Sequence, residues 1–394
     1  EEDMVITIIK IIIDAAPKTI ADELATHQLP HMIGDFLEET LMMFLLLSII
    51  LAISFALEPS IARHVDHRGV EFRRSKEEVR WLFEDWLVRH DKSYNETTEK
   101  EHRFEVFKEN LRFIKEHNHP QRNHSYTVDL NYFADLTARE FKSIYLNTRP
   151  DINSHLIPPP SDEYMVLEGE KLPRSVDWRV RRAVSPVKHQ GHCGSCWAFS
   201  TVATIEGLNQ IITGRMITLS EQQLLDCNNK NWGCNGGWPD IAFAYVKKYG
   251  GLDTRARYPY RESKGTCRKN TVNVVSIDGY NFVPRYNESA LQKAVSRQPI
   301  SVIIRSCSRG FQFYKSGIYN GPCGMDLDHA VTLVGYDTDL NNGKDYWIVK
   351  NSWGQGWGEE GYAKIERNVR SYDGKCGITA YPTYPVKKGY TFSQ

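Results

Sequence analysis

No cysteine precedes Cys193 in this 394-residue chain. All eight cysteines lie between Cys193 and Cys376, and such clustering is typical of a protein that folds in an oxidising compartment. The sequence also lacks a metal-ligand cluster, a phosphate-binding loop and an internal repeat, so we expect neither a metal nor a cofactor. Its content of 41% hydrophobic and 25% charged residues is that of a globular protein.

The chain has no net charge, but its charges are unevenly divided. Residues 1–171 contain 20 Lys and Arg against 31 Asp and Glu, a net charge of −11, and the remainder carries +11. The basic residues of the second part are scattered and form no recognition motif, which argues against a nucleic-acid partner. We therefore expect the two parts to bind each other.

A single long apolar run, Leu41–Leu57, lies in the acidic part. Ser54 and Ala56 have the spacing of a signal-peptidase site, so we interpret the run as a secretory signal rather than a membrane anchor. Residues 1–57 are thus assigned to an upstream extension with a signal-like segment. We predict a protein of the secretory pathway, located in a vacuole or lysosome-like compartment or outside the cell.

Residues 77–141 contain no glycine and have a helical pattern. Six residues recur at spacings of 4, 4, 3, 4 and 4 and therefore share one helix face: Glu99, Arg103, Phe107, Asn110, Ile114 and Asn118. We assign residues 78–141 to a helical domain and residues 142–171, which contain four prolines, to an exposed linker. Composition changes at Leu172, so residues 172–394 are assigned to a further domain.

This further domain begins with a helical pattern and continues with strands. One helix is predicted from Cys196 to a glycine cap at Gly214, and the next is predicted to begin at Ser220, which forms a capping box with Gln223. The first helix is surrounded by apolar residues, so we expect it to be buried. Helices followed by strands indicate an α+β fold rather than a βαβ arrangement.

Two predicted strands near the end of the chain flank a turn at Asn342-Gly343, which is a hairpin signal. If the hairpin is symmetric about Leu340, His329 and Asn351 lie directly opposite each other on its two strands. The asparagine side chain could then fix the orientation of the imidazole. His329 lies 133 residues after Cys196.

Cys196 lies at the first turn of its helix, in the segment QGHCGSCWAFS. The positive end of the helix dipole favours a thiolate, which is the nucleophile that peptide hydrolysis by a thiol requires. Cys193 and Cys196 also form a Cys-x-x-Cys pair, which leaves a disulfide oxidoreductase as an alternative. The loop before this pair and the lack of βαβ alternation argue against that alternative.

These segments resemble the papain family of cysteine proteases, and its plant, bromelain-like members in particular, over residues 78–388. The six-residue helix face is similar to the signature of the family's propeptides, and Cys193–Trp197 to its active-site segment. A companion propeptide motif, whose leading glycine is replaced by aspartate, is represented by Asp129, Asn131, Phe133 and Asp135. The resemblance implies a papain-like two-domain fold behind a helical propeptide domain, with a helical left domain, a β-barrel-like right domain and an active-site cleft between them.

The resemblance also implies a cysteine endopeptidase precursor. Cys196 and His329 would form a thiolate–imidazolium pair, with Asn351 accepting the second ring proton and Trp353 shielding that bond. The Gln190 side chain and the Cys196 backbone N–H would bind the oxyanion. A catalytically inactive relative with a binding or storage role is a further alternative, although none of these site residues is replaced.

Disulfide connectivity is left open by spacing alone, because six of the remaining cysteines can pair in 15 ways once one is set aside. The resemblance implies the pairs Cys193–Cys234, Cys227–Cys267 and Cys323–Cys376, and it leaves Cys307 as a free thiol. It implies that Gly236 and Gly237 bind the substrate backbone. The pocket for the residue two before the scissile bond would be lined by Trp238, Pro239, Ile303, Leu327, Ala330 and Tyr381.

That pocket contains no acidic group by family position, so we predict an apolar or aromatic preference, with Tyr381 making it shallow. The propeptide would inhibit in cis until cleavage near Leu172, and acid would weaken its hold by protonating carboxylates of the −11 part. Expected partners are peptide and protein substrates and cystatin-type inhibitors; we expect a monomer without a membrane anchor. Sequons predict glycans at Asn95, Asn123 and Asn287.

Overall fold

The structure, a computed structural model, describes residues 75–146 and 161–387. The signal-like run lies outside these residues, as does most of the predicted linker. The described part begins with three helices and one short strand: α1 Lys76–Arg89, α2 Thr97–His117, β1 Tyr126–Val128 and α3 Ala138–Tyr145. We call residues 75–146 the helical segment. Capping boxes begin α1 at Ser75 and α3 at Thr137.

The polar residues of the predicted helix face hold the loop between β1 and α3. Arg103 binds Glu99 at 2.6 Å and Glu140 at 2.8 Å, and it donates to the Asp135 carbonyl at 3.1 Å. Asn110 Nδ2 donates to the carbonyls of Ala134 and Leu136 at 2.9 and 3.0 Å. These side chains form hydrogen bonds with backbone carbonyls that have no partner within a helix or strand.

Asn118 and the companion motif complete this packing. Asn118 exchanges two hydrogen bonds with Val128 of β1, at 2.6 and 3.1 Å. Phe133 is fully buried, and Asp135 accepts from Lys92 at 2.9 Å and from the Tyr94 hydroxyl. The motif positions are therefore packing and capping positions of the helical segment.

The remaining helices are α4 Cys196–Thr213, α5 Glu221–Cys227, α6 Pro239–Tyr249, α7 Glu288–Arg297 and α8 Arg309–Gln312. As predicted, α4 begins at Cys196 and ends at Gly214, whose φ is +68°. Ser220 caps α5 through the Gln223 N–H at 3.0 Å. The predicted capping box is only half formed, because the side-chain oxygen Oε1 of Gln223 accepts from the Asp253 N–H at 2.7 Å and not from the Ser220 N–H.

The later strands are β2 Val176–Asp177, β3 Gly279–Phe282, β4 Ile300–Ile304, β5 Tyr314–Tyr319, β6 His329–Thr338, β7 Asp345–Lys350, β8 Tyr362–Glu366 and β9 Thr383–Val386. They form one sheet in the order β1-β5-β8-β7-β6-β4-β9-β3, and β2 pairs with β6. Within the described residues this sheet is open, so the expectation of a β-barrel-like domain is wrong. Strand β1 of the helical segment forms one edge of the sheet, next to β5, and β3 forms the other edge.

The hairpin of β6 and β7 has a different register from the one predicted. Thr338 pairs with Asp345, whereas Thr332 pairs with Lys350, and the register shifts by one residue between Leu333 and Gly335. The turn is centred between Asn341 and Asn342 rather than at Leu340, and this displacement moves His329 and Asn351 out of direct opposition. They are diagonal neighbours on one face, which still lets their side chains meet.

The described ends of the predicted linker contact the fold at a few residues, although most of residues 161–171 are exposed. Helix α3 extends to Tyr145, beyond the predicted domain end at residue 141. Tyr164 is buried against the Tyr384 ring, with centroids 4.8 Å apart, and Lys293 binds Glu170 at 2.8 Å. Across residues 75–146 and 161–387, no helix is long and apolar enough to cross a membrane.

Replacing Arg103 with Met should destabilise the helical segment by about 1–3 kcal/mol, because two carboxylates and one carbonyl lose their donor. Urea denaturation of the full-length protein, followed by far-UV circular dichroism, measures the change. Arg112 is the matched control, since it pairs with Glu116 at 2.8 Å on the exposed side of the same helix. Equal effects of Arg103→Met and Arg112→Met would contradict the structural role assigned to Arg103.

Candidate active site

The site forms where α4 packs against β6. Ser200 Oγ donates to the Val331 carbonyl at 2.8 Å and lies 2.6 Å from Ser301 Oγ. Cys196 is one helical turn before Ser200 on the same face of α4, and His329 is two residues before Val331 on the same face of β6. The contact between helix and strand therefore brings the start of α4, which carries the thiol, near the start of β6, which carries the imidazole.

Cys196 is fully buried and is not part of a disulfide. Its position at the start of α4 places it among backbone N–H groups that have no partner within the helix. It belongs to one buried apolar cluster that contains five predicted pocket residues: Trp238, Ile303, Leu327, Ala330 and Tyr381. Nucleophile and predicted specificity pocket are therefore neighbours.

His329 is held by one nitrogen and leaves the other available. Nε2 lies 2.7 Å from Asn351 Oδ1, which also accepts from the Ser352 N–H at 2.8 Å. Because this oxygen only accepts, the ring proton must be on Nε2. Nδ1 is buried and has no hydrogen-bond partner among the described residues, so its lone pair is available as a base.

Burial lowers the pKa of His329 to about 4, against the opposing effect of the Asn351 hydrogen bond. The indole of Trp353 stacks on the imidazole, with centroids 4.5 Å apart, as the shielding role requires. In this covered state the histidine is neutral near pH 7. Burial thus favours the neutral imidazole, the form whose Nδ1 can accept a proton.

Gln190 is fully buried, and its amide is oriented from both ends. Ser352 Oγ donates to Oε1 at 2.7 Å, and Nε2 donates to the Cys193 carbonyl at 3.0 Å. Nε2 also reaches the carbonyl of Tyr145, from the end of α3, at 3.4 Å. A carbonyl of the helical segment thus occupies the donor predicted to bind the oxyanion.

Other contacts of the helical segment surround this point. Trp353 packs edge-on against Phe133 and Phe141, at 5.5 and 5.2 Å between centroids. Asn131 Nδ2 donates to the Gln312 carbonyl at 2.8 Å. Together with the β1–β5 pairing, these contacts cover the histidine side of the site.

The glycines predicted to bind the substrate backbone are also required by the local structure. Gly236 has a φ of +109°, and a Cβ on Gly237 would lie within 2.8 Å of both the Asn231 and Trp197 side chains. Pro239 is the first residue of α6. All three lie within two residues of Trp238, which belongs to the apolar cluster around Cys196.

An acidic residue lies near the predicted pocket. Asp240 is buried at the start of α6, and burial together with this carboxylate raises the pKa of Tyr381. The Tyr381 ring itself is fully buried between Trp238 and Phe282, at 5.0 and 5.3 Å between centroids. Tyr381 therefore fills space that a smaller residue would leave open.

The structure contains the three disulfides Cys193–Cys234, Cys227–Cys267 and Cys323–Cys376, which are the pairs implied by the resemblance. Cys193 is bonded to Cys234, so the Cys-x-x-Cys pair is not a redox couple here. Cys307 is a half-buried thiol whose pKa is raised by burial and by Asp328. It is therefore a poorer nucleophile than a thiol at a helix N-terminus.

The sequence profile described as "Papain family cysteine protease" matches residues 172–386, more than half of the chain. The chain belongs to the papain family of cysteine proteases. A second profile, "Cathepsin propeptide inhibitor domain (I29)", matches residues 83–141, within the helical segment. This papain-family chain is therefore a precursor, and its helical segment is the propeptide that inhibits the peptidase in cis.

Known relatives agree with this assignment. The chain is 50% identical over 362 residues to "Cysteine proteinase RD21A" of Arabidopsis thaliana, covering 90% of this chain and 76% of that protein. It is 47% identical over 338 residues to "Oryzain beta chain" of Oryza sativa subsp. japonica, covering 84% and 72%. Both are plant proteins, in line with the plant-type resemblance.

Solved structures of precursors have the same fold. The proform of Amb a 11, a ragweed pollen cysteine protease, matches with a TM-score of 0.74 and 39% identity, over 80% of this chain and 97% of that one. The recombinant stem bromelain precursor matches with a TM-score of 0.73 and 43% identity, over 79% and 100%. The papain-like fold with a propeptide is thereby established.

Ion pairs of the acidic part lie both within the propeptide and across to the peptidase. Asp135 pairs with Lys92 and Glu140 with Arg103 inside the propeptide. Between the acidic part and the peptidase, Glu170 pairs with Lys293 at 2.8 Å with the predicted sign, whereas Lys142 and Asp326, 3.0 Å apart, have the opposite sign. Acid would therefore act on the folding of the propeptide as well as on attraction across the interface.

Sequence reasoning missed three contributors to the site. Ser200, a hydroxyl on a buried helix face one turn after the cysteine, could have been found from that spacing. Ser352, which orients Gln190, follows Asn351 directly and had no separate signal. Tyr145 contributes a backbone carbonyl, and no side-chain pattern identifies such a group.

Replacing Gln190 with Ala should lower kcat of the activated peptidase about 100- to 1,000-fold, as expected for removing one oxyanion donor. Peptide hydrolysis under steady-state conditions measures the change, and KM should move little. Gln355→Ala, at an exposed glutamine, is the control. If Gln190→Ala changed KM instead of kcat, Gln190 would bind substrate rather than the developing negative charge.

Proposed function

We propose that Cys196 and His329 carry the chemistry of this cysteine endopeptidase. Nδ1 of His329 takes the proton of the Cys196 thiol, and the thiolate attacks the peptide carbonyl to form a tetrahedral intermediate. The imidazolium returns the proton to the leaving amine, which leaves an acyl-enzyme. Water, deprotonated by the same imidazole, then releases the carboxylic acid and restores the thiol. The supporting observation is the His329 ring, fixed at Nε2 with Nδ1 available.

In the same proposal Asn351 positions the ring, and Gln190 with the Cys196 N–H stabilises the oxyanion. Displacement of the Tyr145 carbonyl frees the Gln190 donor when the propeptide leaves. Water then reaches His329 and removes the desolvation that keeps the imidazole neutral. Inhibition and catalysis thus depend on the same groups.

The prediction for the thiol is tested by comparing acid-activated wild-type precursor with Cys196→Ala, which should hydrolyse no peptide. The double variant Cys193→Ala/Cys234→Ala is the matched control. It should lose about 2–5 kcal/mol of stability but keep its chemistry at low temperature. Full activity of Cys196→Ala, or loss of chemistry only in the double variant, would exclude Cys196 as the nucleophile.

For the substrate, we propose a preference for an apolar or aromatic residue two before the scissile bond, limited in size by Tyr381. The aromatic wall of Trp238, Phe282 and Tyr381 supports an apolar occupant. Gly236 and Gly237 are proposed to bind the substrate backbone. The buried carboxylate of Asp240 interacts with the Tyr381 phenol.

Replacing Tyr381 with Ala should enlarge the pocket and raise kcat/KM for large side chains, such as Phe, relative to Val at that substrate position. A matched series of fluorogenic peptides measures the ratio, and an apolar pocket contact is worth about 10- to 200-fold in such ratios. Tyr286→Ala, an exposed tyrosine, is the control. An unchanged ratio would show that Tyr381 does not limit the pocket.

The remaining expectations concern the cell. We propose passage through the secretory pathway to a vacuole or the extracellular space, and a monomer that cystatin-type inhibitors can bind once the propeptide is lost. Three disulfides support an oxidising compartment. Asn95 and Asn123 are exposed and so accessible to glycosylation, whereas Asn287 is half-buried and caps α7 through the Ala290 N–H at 2.9 Å.

A further inference from the structure

Two histidines of the propeptide stack on each other beside the strand that joins it to the peptidase. His117 is the last residue of α2, and His124 lies in the loop before β1. Their rings are 4.0 Å apart between centroids and only 5° from parallel. His117 is buried, with 8% of its surface exposed, whereas His124 is exposed.

The buried ring of His117 carries its proton on a defined nitrogen. His117 Nε2 lies 3.3 Å from the Tyr126 carbonyl, which can only accept, so Nε2 carries the ring proton. Burial lowers the pKa of His117; the Tyr126 carbonyl opposes this, and His124 lowers it further. The C-terminal end of α2 favours a cation, but the net direction is downward.

The groups packed around His117 offer no described carboxylate to balance a positive charge. From α2, the neighbouring Glu116 pairs with Arg112 at 2.8 Å. From α8, the Arg309 guanidinium lies over Phe113, 4.8 Å from the ring that also contacts His117. From β1 the facing group is Tyr126, a neutral phenol whose pKa burial raises to about 12.

Tyr126 is the anchor through which this pair touches the peptidase. It pairs with Gly317 of β5, and its ring packs on Tyr319 with centroids 4.6 Å apart. Gly310 and Gly321 have no room for a Cβ because the Tyr126 hydroxyl occupies that space. His117 contacts the same ring, at 4.5 Å, from the propeptide side.

We propose that the His117–His124 stack is an acid-sensitive release for β1, which loosens the propeptide when both rings become protonated. Two parallel cations at this distance repel each other, and a buried cation beside Tyr126 lacks a counter-ion. A group whose pKa is lower in the docked propeptide than in the released one takes up protons when the propeptide is released. The docked state is therefore favoured above the ordinary histidine pKa and loses stability as the pH falls below it.

The inference rests on the inhibitory propeptide and not on any catalytic residue, so it is tested in the full-length precursor carrying Cys196→Ala, which cannot process itself. Hydrogen–deuterium exchange at pH 7 and pH 5, corrected for intrinsic rates, reports on two amides that cross the interface. These are Ile318 N–H to the Ser125 carbonyl and Asp129 N–H to the Phe313 carbonyl, each 2.9 Å. Protection of both should fall by about tenfold or more at pH 5.

Replacing His124 with Leu keeps an apolar partner for His117 and keeps the sequon at Asn123, but it removes one of the two charges. Most of the loss of protection at pH 5 should then disappear. His102→Leu is the matched control, since it removes an exposed histidine from α2 away from the stack. A pH dependence equal to wild type in His124→Leu, or an equal rescue by His102→Leu, would overturn the proposal.

A second readout does not depend on how well His124→Leu folds. In the Cys196→Ala precursor, NMR titration of the ring protons should give His117 a pKa below the ordinary histidine value, and His124→Gln should raise the pKa of His117. A merely structural stack would not make the His117 titration depend on its partner ring. A His117 pKa at or above the ordinary value, or one unchanged by His124→Gln, would overturn the proposal.

Discussion

The contact between α4 and β6 is the constraint on which the rest of the molecule depends. The Ser200 hydroxyl and the Val331 carbonyl fix one turn of a helix against one strand. One turn away on the helix is the thiol, and two residues away on the strand is the imidazole. Helix and strand come from chain segments more than a hundred residues apart, so the site exists only when the whole domain is folded.

The propeptide is bound by extending the peptidase's own architecture rather than by filling a pocket. Its strand β1 joins the sheet, its aromatic residues Phe133 and Phe141 pack on the tryptophan that covers the histidine, and the Tyr145 carbonyl reaches Gln190. Acid does not weaken buried aromatic contacts. It does weaken the packing of a histidine in an apolar setting, because it places a positive charge on the ring. Affinity and its pH dependence can thus be assigned to different residues of one interface.

Much of the fold and site could be predicted from local pattern. The bounds of helix α4 could be predicted from the cysteine at its start and the glycine that caps its end, which are local signals. The six-residue face of the propeptide helix α2 could be predicted from helical spacing. The hairpin register could not be predicted, because the Asn342-Gly343 signal marks the turn but not its centre, which lies between Asn341 and Asn342 rather than at Leu340. The capping box at Ser220 is only half formed because Asp253, distant in sequence, donates to the Gln223 side chain.

Release of the propeptide has a consequence for the sheet that it leaves behind. Once β1 is gone, β5 becomes an edge strand, and its exposed backbone groups could template pairing with another chain. The strand is poorly suited to that role: Lys315 points a charge into solvent at its start, and Gly317, with a φ of +90°, breaks its extended backbone. The features that receive the inhibitor therefore also protect the mature enzyme against self-association.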